Sequence, residues 1–146
     1  MKKVSHVITI ICMLFLSTYN ANADQCPSYK KADMLISNLY NSWDNIFYYY
    51  KNYGECLDGY FGEGVTDAIV VRLSKHWDEL YQLKSKIQTM DGFEDFILYN
   101  VNGTADEDDL QNIITSSKTA CPIDMSDFCK KLGKAAEEGY EEINSL

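Results

Sequence analysis

The chain has 146 residues, 46% of them hydrophobic and 13% aromatic, with 13 basic residues against 22 acidic ones. That length suits one domain, and the aromatic content supplies too much apolar surface for a disordered chain. A formal charge of −9 repels nucleic-acid phosphates, which excludes nucleic acid as a natural partner.

Lys2 and Lys3 precede an apolar run from Val7 to Leu16, and Ala21-Asn22-Ala23 supplies the small-x-small pattern of a signal-peptidase site. The run is well short of the roughly 20 apolar residues that span a bilayer. Residues 1–23 therefore read as a cleaved secretory signal of bacterial type, and residues 24–146 as an exported, periplasmic domain with no membrane span. Asp24 and Gln25, just before Cys26, do not suit lipid attachment. Cleavage removes Lys2, Lys3, His6 and Cys12, leaving a net charge of −11, one histidine (His76) and four cysteines.

Helical periodicity runs through the rest of the chain. Met34, Leu35, Leu39, Trp43, Ile46, Phe47 and Tyr50 recur at three- and four-residue intervals and predict a helix over about residues 32–53. Gly54, Gly59, Gly62 and Gly64 then mark a loop. Val65, Ile69, Leu73, Trp77, Leu80 and Ile87 predict a second long helix over about residues 65–88. Asp91 with Glu94, and Thr104 with Glu107, resemble capping boxes for a third and a fourth helix. Cys121-Pro122 ends the fourth, and Asp124 caps a fifth that carries Phe128, Leu132, Ala136, Tyr140 and Ile143. The expected fold is all-α, about five helices in a single small domain.

Cys26, Cys56, Cys121 and Cys129 form an even set in an exported chain, which reads as two disulfides. A single helix over 32–53 would hold its ends roughly 30 Å apart. Cys26 would then have to reach back along that whole length to meet Cys56. The expectation is therefore crossed pairing, with Cys26 bound to Cys121 or Cys129 and Cys56 to the other.

Catalytic apparatus is hard to assemble from these residues. His76 sits in Arg72-Leu73-Ser74-Lys75-His76-Trp77 with no evident nucleophile and orienting acid, and reads as a solvated helix residue. Oxidised cysteines are not nucleophiles. Asp106-Glu107-Asp108-Asp109 lacks the alternating ligands of a calcium loop and suits the positive end of a helix. No enzyme activity, metal or cofactor is expected.

Two features point instead to a protein partner. Phe47-Tyr48-Tyr49-Tyr50 wraps a full helical turn, so Tyr48 and Tyr49 leave the apolar stripe. They face either a partner, where tyrosines are favoured, or another helix of the same domain. Tyr60 and Phe61 lie between glycines beside Cys56, Asp58 and Glu63, as an aromatic-tipped acidic loop would. The alternative is a plain connection whose glycines serve as turns and caps. Asp58, Tyr60, Phe61, Glu63, Tyr48 and Tyr49 are the candidate contacts.

The stretch Cys56-Leu57-Asp58-Gly59-Tyr60-Phe61-Gly62-Glu63-Gly64-Val65-Thr66-Asp67-Ala68 resembles the Cys, Gly-Tyr, Gly-Val-x-Asp-Ala pattern of small helical periplasmic immunity proteins. Those proteins neutralise peptidoglycan amidases delivered by type VI secretion. The chain is also similar to uncharacterised exported bacterial proteins. The resemblance implies an inhibitor that occludes a basic cell-wall hydrolase, an amidase or a lysozyme-like toxin. The alternative is a structural or adaptor subunit of an envelope assembly, or a homodimer, burying the tyrosine face.

Overall fold

The computed structural model of the protein describes residues 26–145; the expected signal segment lies outside the described residues. Among those described there are seven α-helices and no strand: α1 (Tyr29–Leu39), α2 (Trp43–Tyr53), α3 (Tyr60–Lys75), α4 (Tyr81–Thr89), α5 (Phe93–Tyr99), α6 (Glu107–Thr119) and α7 (Ser126–Asn144). Short 3-10 turns occupy Trp77–Glu79 and Ile123–Met125. The all-α expectation holds, and the expected count of about five does not. Each of the two long helices predicted from the first half of the chain is a pair.

The breaks have local causes. Ser42 is extended, at φ −166° and ψ 157°, and its hydroxyl accepts the backbone N–H of Asn45. That is helix N-cap geometry, so a new helix starts at Trp43. His76 leaves helical geometry at φ −129° and ψ 44°, which ends α3 before the 3-10 turn. Apolar periodicity crosses both breaks because the chain turns while its apolar residues keep facing inward. The expected caps also move. Gly92, at φ 80°, begins α5; Asp106 rather than Thr104 caps α6, accepting from the N–H groups of Asp108 and Asp109. Asp124 caps nothing and pairs instead with Lys84 at 2.5 Å.

The most buried helix is α3. Phe61, Val65, Thr66, Ala68, Ile69, Val70, Arg72 and Leu73 are all inside, as befits a helix apolar nearly all round. The α1–α2 hairpin packs on it from one side and the α6–α7 pair from the other, while α4 and α5 bridge α2 to α7. One apolar cluster runs from Ala32 to Ala136.

The break at 40–42 overturns the expected disulfide pairing. Because α1 and α2 form a hairpin, the end of α2 returns to the start of α1. Cys26 bonds Cys56 with Cα atoms 5.7 Å apart, and Cys121 bonds Cys129. The reach argument fails because its premise, one rigid helix over 32–53, is wrong. Loop-closure entropy for separations of 30 and 8 residues gives about 3–4 and about 2–3 kcal/mol respectively.

Arg72 holds the hairpin's turn. Its side chain is 2% exposed. Nη1 donates to the Tyr40 carbonyl at 2.8 Å, Nη2 pairs with Glu79, and the guanidinium lies 5.4 Å from the centre of the Trp43 ring. One cation thus ties α3 to the α1–α2 turn and to the segment after His76. Removing it strands a carbonyl and a carboxylate around a cavity. Arg72→Ala should therefore lower the free energy of unfolding by about 3–5 kcal/mol, read from urea denaturation of the oxidised protein.

Candidate functional site

The residues singled out from the sequence converge on the Cys26–Cys56 end of the molecule, though not as a loop. Tyr60 is the first residue of α3, so Tyr60-Phe61-Gly62-Glu63-Gly64 is helical and only residues 54–59 connect α2 to it. The glycines have separate reasons to be there. Gly59 sits at φ 52°, a conformation L-residues rarely adopt. A Cβ on Gly62 would lie 2.2 Å from the Leu57 carbonyl oxygen, and one on Gly64 would lie 2.7 Å from Ile36 Cγ2. Gly64 therefore lets Ile36 of α1 seat directly on α3.

Two tyrosine–aspartate pairs flank that seat. The Tyr60 hydroxyl donates to Asp33 at 2.5 Å and the Tyr40 hydroxyl donates to Asp67. Both pairs span 27 residues in the same direction, so α1 and α3 run parallel, each offering a tyrosine and an aspartate seven residues apart. The hydrogen bond to Asp33 pushes the Tyr60 hydroxyl's pKa up. Burial, then the bond to Asp67, pushes that of Tyr40 up further. Asp67 is a helix-to-helix acceptor.

Two candidate contacts must be withdrawn. Phe61 is 7% exposed and stacks under Tyr29, with ring centres 6.5 Å apart. Tyr49 is 1% exposed, and its hydroxyl donates to the Cys56 carbonyl at 2.7 Å. Tyr49 belongs to the core because α2 is covered by α1 and by α4 and α5, and Phe61 because α1 packs over the start of α3. Asp58, Tyr60, Glu63 and Tyr48 are exposed. Tyr48 packs edge-on against Tyr53, which in turn touches Tyr49, linking it to the disulfide end.

Two exposed tyrosines at this end escaped the sequence reading. Tyr29 is three residues after Cys26 and lies over Phe61. Tyr99, at the end of α5, shares a shallow groove of about 210 Å³ with Leu57, Gly59 and Glu63. No local motif marks either; tertiary packing brings Tyr29 over Phe61 and Tyr99 beside Gly59 and Glu63. A larger groove of about 670 Å³ runs beside the disulfide, lined by Tyr50, Lys51, Tyr53, Glu55 and Met90. The carboxylates here are Asp33, Glu55, Asp58 and Glu63, with Lys30, Lys31 and Lys51 on the flanks, all exposed.

His76 is exposed, with Nδ1 3.9 Å from Glu79, while the Ser74 hydroxyl donates to Asp109. Among the described residues no cluster of three or more His, Cys, Asp or Glu side chains is arranged to hold a metal. No described helix is long and apolar enough to cross a membrane. No family model, curated protein or solved structure matches the chain.

Two expectations follow from this geometry. Gly64→Ala should destabilise the protein by about 1–3 kcal/mol through overpacking against Ile36, and adding Ile36→Val should recover part of that loss in urea denaturation. Burial, with Asp58 nearby, raises Tyr49 to about 12 from an ordinary 10.0. A pKa raised on folding gives stability that is complete below the unfolded value and lost as pH climbs through the folded one. Denaturation midpoints should therefore fall between about pH 10 and 12, and Tyr49→Phe should flatten that decline.

Proposed function

We propose that this protein is an exported, periplasmic inhibitor, of the immunity-protein kind, that docks its Cys26–Cys56 end onto a basic cell-wall-degrading enzyme. The observation that carries this reading is the exposure of Tyr29 and Tyr60, 79% and 47%, on either side of Phe61, with Tyr99, 69% exposed, on the groove beside Gly59 and Glu63. Tyrosine buries a large ring with little loss of entropy and keeps a polar tip, which is why it dominates protein-binding surfaces. The disulfide, the Tyr60–Asp33 bond and the Gly64 seat fix this end before any partner arrives, and such preorganisation lowers the cost of association.

Charge adds rate more than grip. The flanking lysines leave the end itself only slightly acidic, so attraction at a distance comes from the whole exported chain, at −11 once Lys2 and Lys3 leave with residues 1–23. That field steers a cationic partner and is screened by salt. The resemblance of Cys56–Ala68 to amidase immunity proteins supplies the partner's class, a peptidoglycan amidase or lysozyme-like hydrolase.

The test is inhibition of purified basic peptidoglycan amidases and lysozymes in a cell-wall turbidity assay, with binding kinetics at two salt concentrations. Stoichiometric inhibition of at least one enzyme is expected. Tyr60→Ala and Tyr48→Ala should each speed dissociation, costing about 2 kcal/mol in affinity. Glu63→Lys should mainly slow association and weaken its salt dependence. Tyr81 is a matched control: 66% exposed, but beyond the far end of α3. Tyr81→Ala should bind as the wild type does. Loss of inhibition with Tyr81→Ala and not with Tyr60→Ala would place the contact elsewhere.

A further inference from the structure

The shallow groove between the start of α3 and the end of α5 differs from the larger ones in its charge. Leu57, Gly59, Gly62, Glu63 and Tyr99 line its sides, around a volume of about 210 Å³. Among the described residues no lysine or arginine lines it, whereas the larger grooves each carry lysine, Lys51, Lys130 and Lys84 among them. Glu63 is exposed and enters no ion pair among the described residues. The positive end of α3 and the negative end of α5 both border the groove and offset each other. The formal charge that remains is that of Glu63.

The other polar side chains of the lining are turned toward the protein. Thr66 and Asn100 are both buried; the Thr66 hydroxyl donates to the Asn100 side-chain oxygen at 3.1 Å, and the Asn100 amide donates to the Phe96 carbonyl at 2.8 Å. The Thr104 hydroxyl donates to the Asn102 side-chain oxygen at 2.7 Å, and the Asn102 amide donates to the Tyr99 carbonyl at 2.9 Å. Each of these four donor groups therefore has a partner inside the protein. What the groove offers a ligand is an acceptor, the Glu63 carboxylate, together with the exposed ring of Tyr99.

We propose that this groove receives an arginine side chain of the partner enzyme, an assignment that rests on the inhibitor reading and names the partner's contact. A guanidinium is a donor only and always charged; its fork matches a carboxylate and its plane stacks on an aromatic ring. Glu63 and Tyr99 supply those two surfaces on one groove. A lysine ammonium is more strongly hydrated and gains less from a shallow, open site. Because Glu63 is exposed, its pull acts mainly on arrival. The stack on Tyr99 holds the side chain once it is seated.

The test is titration of the oxidised protein with Nα-acetyl-arginine amide, followed by NMR of the backbone amides. Nα-acetyl-lysine amide and the uncharged isostere Nα-acetyl-citrulline amide are the comparisons. The arginine probe should give saturable shifts centred on the amides of Gly59, Gly62, Glu63, Asn100 and Thr104. The lysine probe should bind at least threefold more weakly, and the citrulline probe should not saturate. Tyr99→Leu should weaken arginine binding at least fivefold and Glu63→Gln at least threefold, the second effect vanishing at high salt. Tyr81→Leu should leave binding unchanged. No saturable shift with arginine, shifts centred on another face, equal binding of citrulline, or full binding by Tyr99→Leu would each overturn the proposal. No hydrolase enters these readouts, so failure of the arginine slot and failure of the inhibitor reading are told apart.

Discussion

A single buried guanidinium fixes the geometry on which the rest depends. Arg72 lies inside α3 and spends its hydrogen bonds on groups from two other segments, the Tyr40 carbonyl and the Glu79 carboxylate, with the Trp43 ring 5.4 Å away. A buried cation is tolerated only when such partners surround it. Those partners fall into place only if the chain reverses at Tyr40-Asn41-Ser42. The reversal sends α2 back along α1, puts Cys56 beside Cys26 and lays α1 parallel to α3. Ile36 can then enter the space above Gly64, and the two tyrosine–aspartate pairs can close around it.

Much of the fold was legible because burial imposes a helical period on whichever residues face inward. Trp43, Ile46, Ile69, Leu73 and Leu132 all read correctly as core from spacing alone. The breaks were not legible, since Ser42 and His76 interrupt helices without interrupting the apolar stripe. From that single ambiguity came the error over the disulfides, because reach depends on whether a segment is one rod or a hairpin. Charge hid the role of Arg72: arginine is normally a surface residue, and its burial shows only once Tyr40 and Glu79 surround it.

The candidate site divides the same way. Asp58, Tyr60, Glu63 and Tyr48 are exposed as expected, whereas Phe61 and Tyr49 are core. Adjacent aromatics cannot be sorted into inward and outward until the neighbouring helices are placed. Gly59, Gly62 and Gly64 read as part of a loop, with turns and caps as the alternative; Gly59 is a cap, while Gly62 is a close approach to the Leu57 carbonyl and Gly64 a seat for Ile36. The surface they help to build is held by close helix-to-helix contacts, which suits the inhibitor role proposed for it.

The pairing of the four cysteines tests the chain reversal most directly. Trypsin cleaves after Lys118 and Lys130, so Cys121 and Cys129 share the peptide Thr119–Lys130. Tryptic mapping of the oxidised, unreduced protein should release that peptide alone, internally bridged, with Cys26 and Cys56 linked to each other on separate peptides. Recovery of Thr119–Lys130 joined to the peptides carrying Cys26 and Cys56 would contradict the hairpin, and with it the surface built on it.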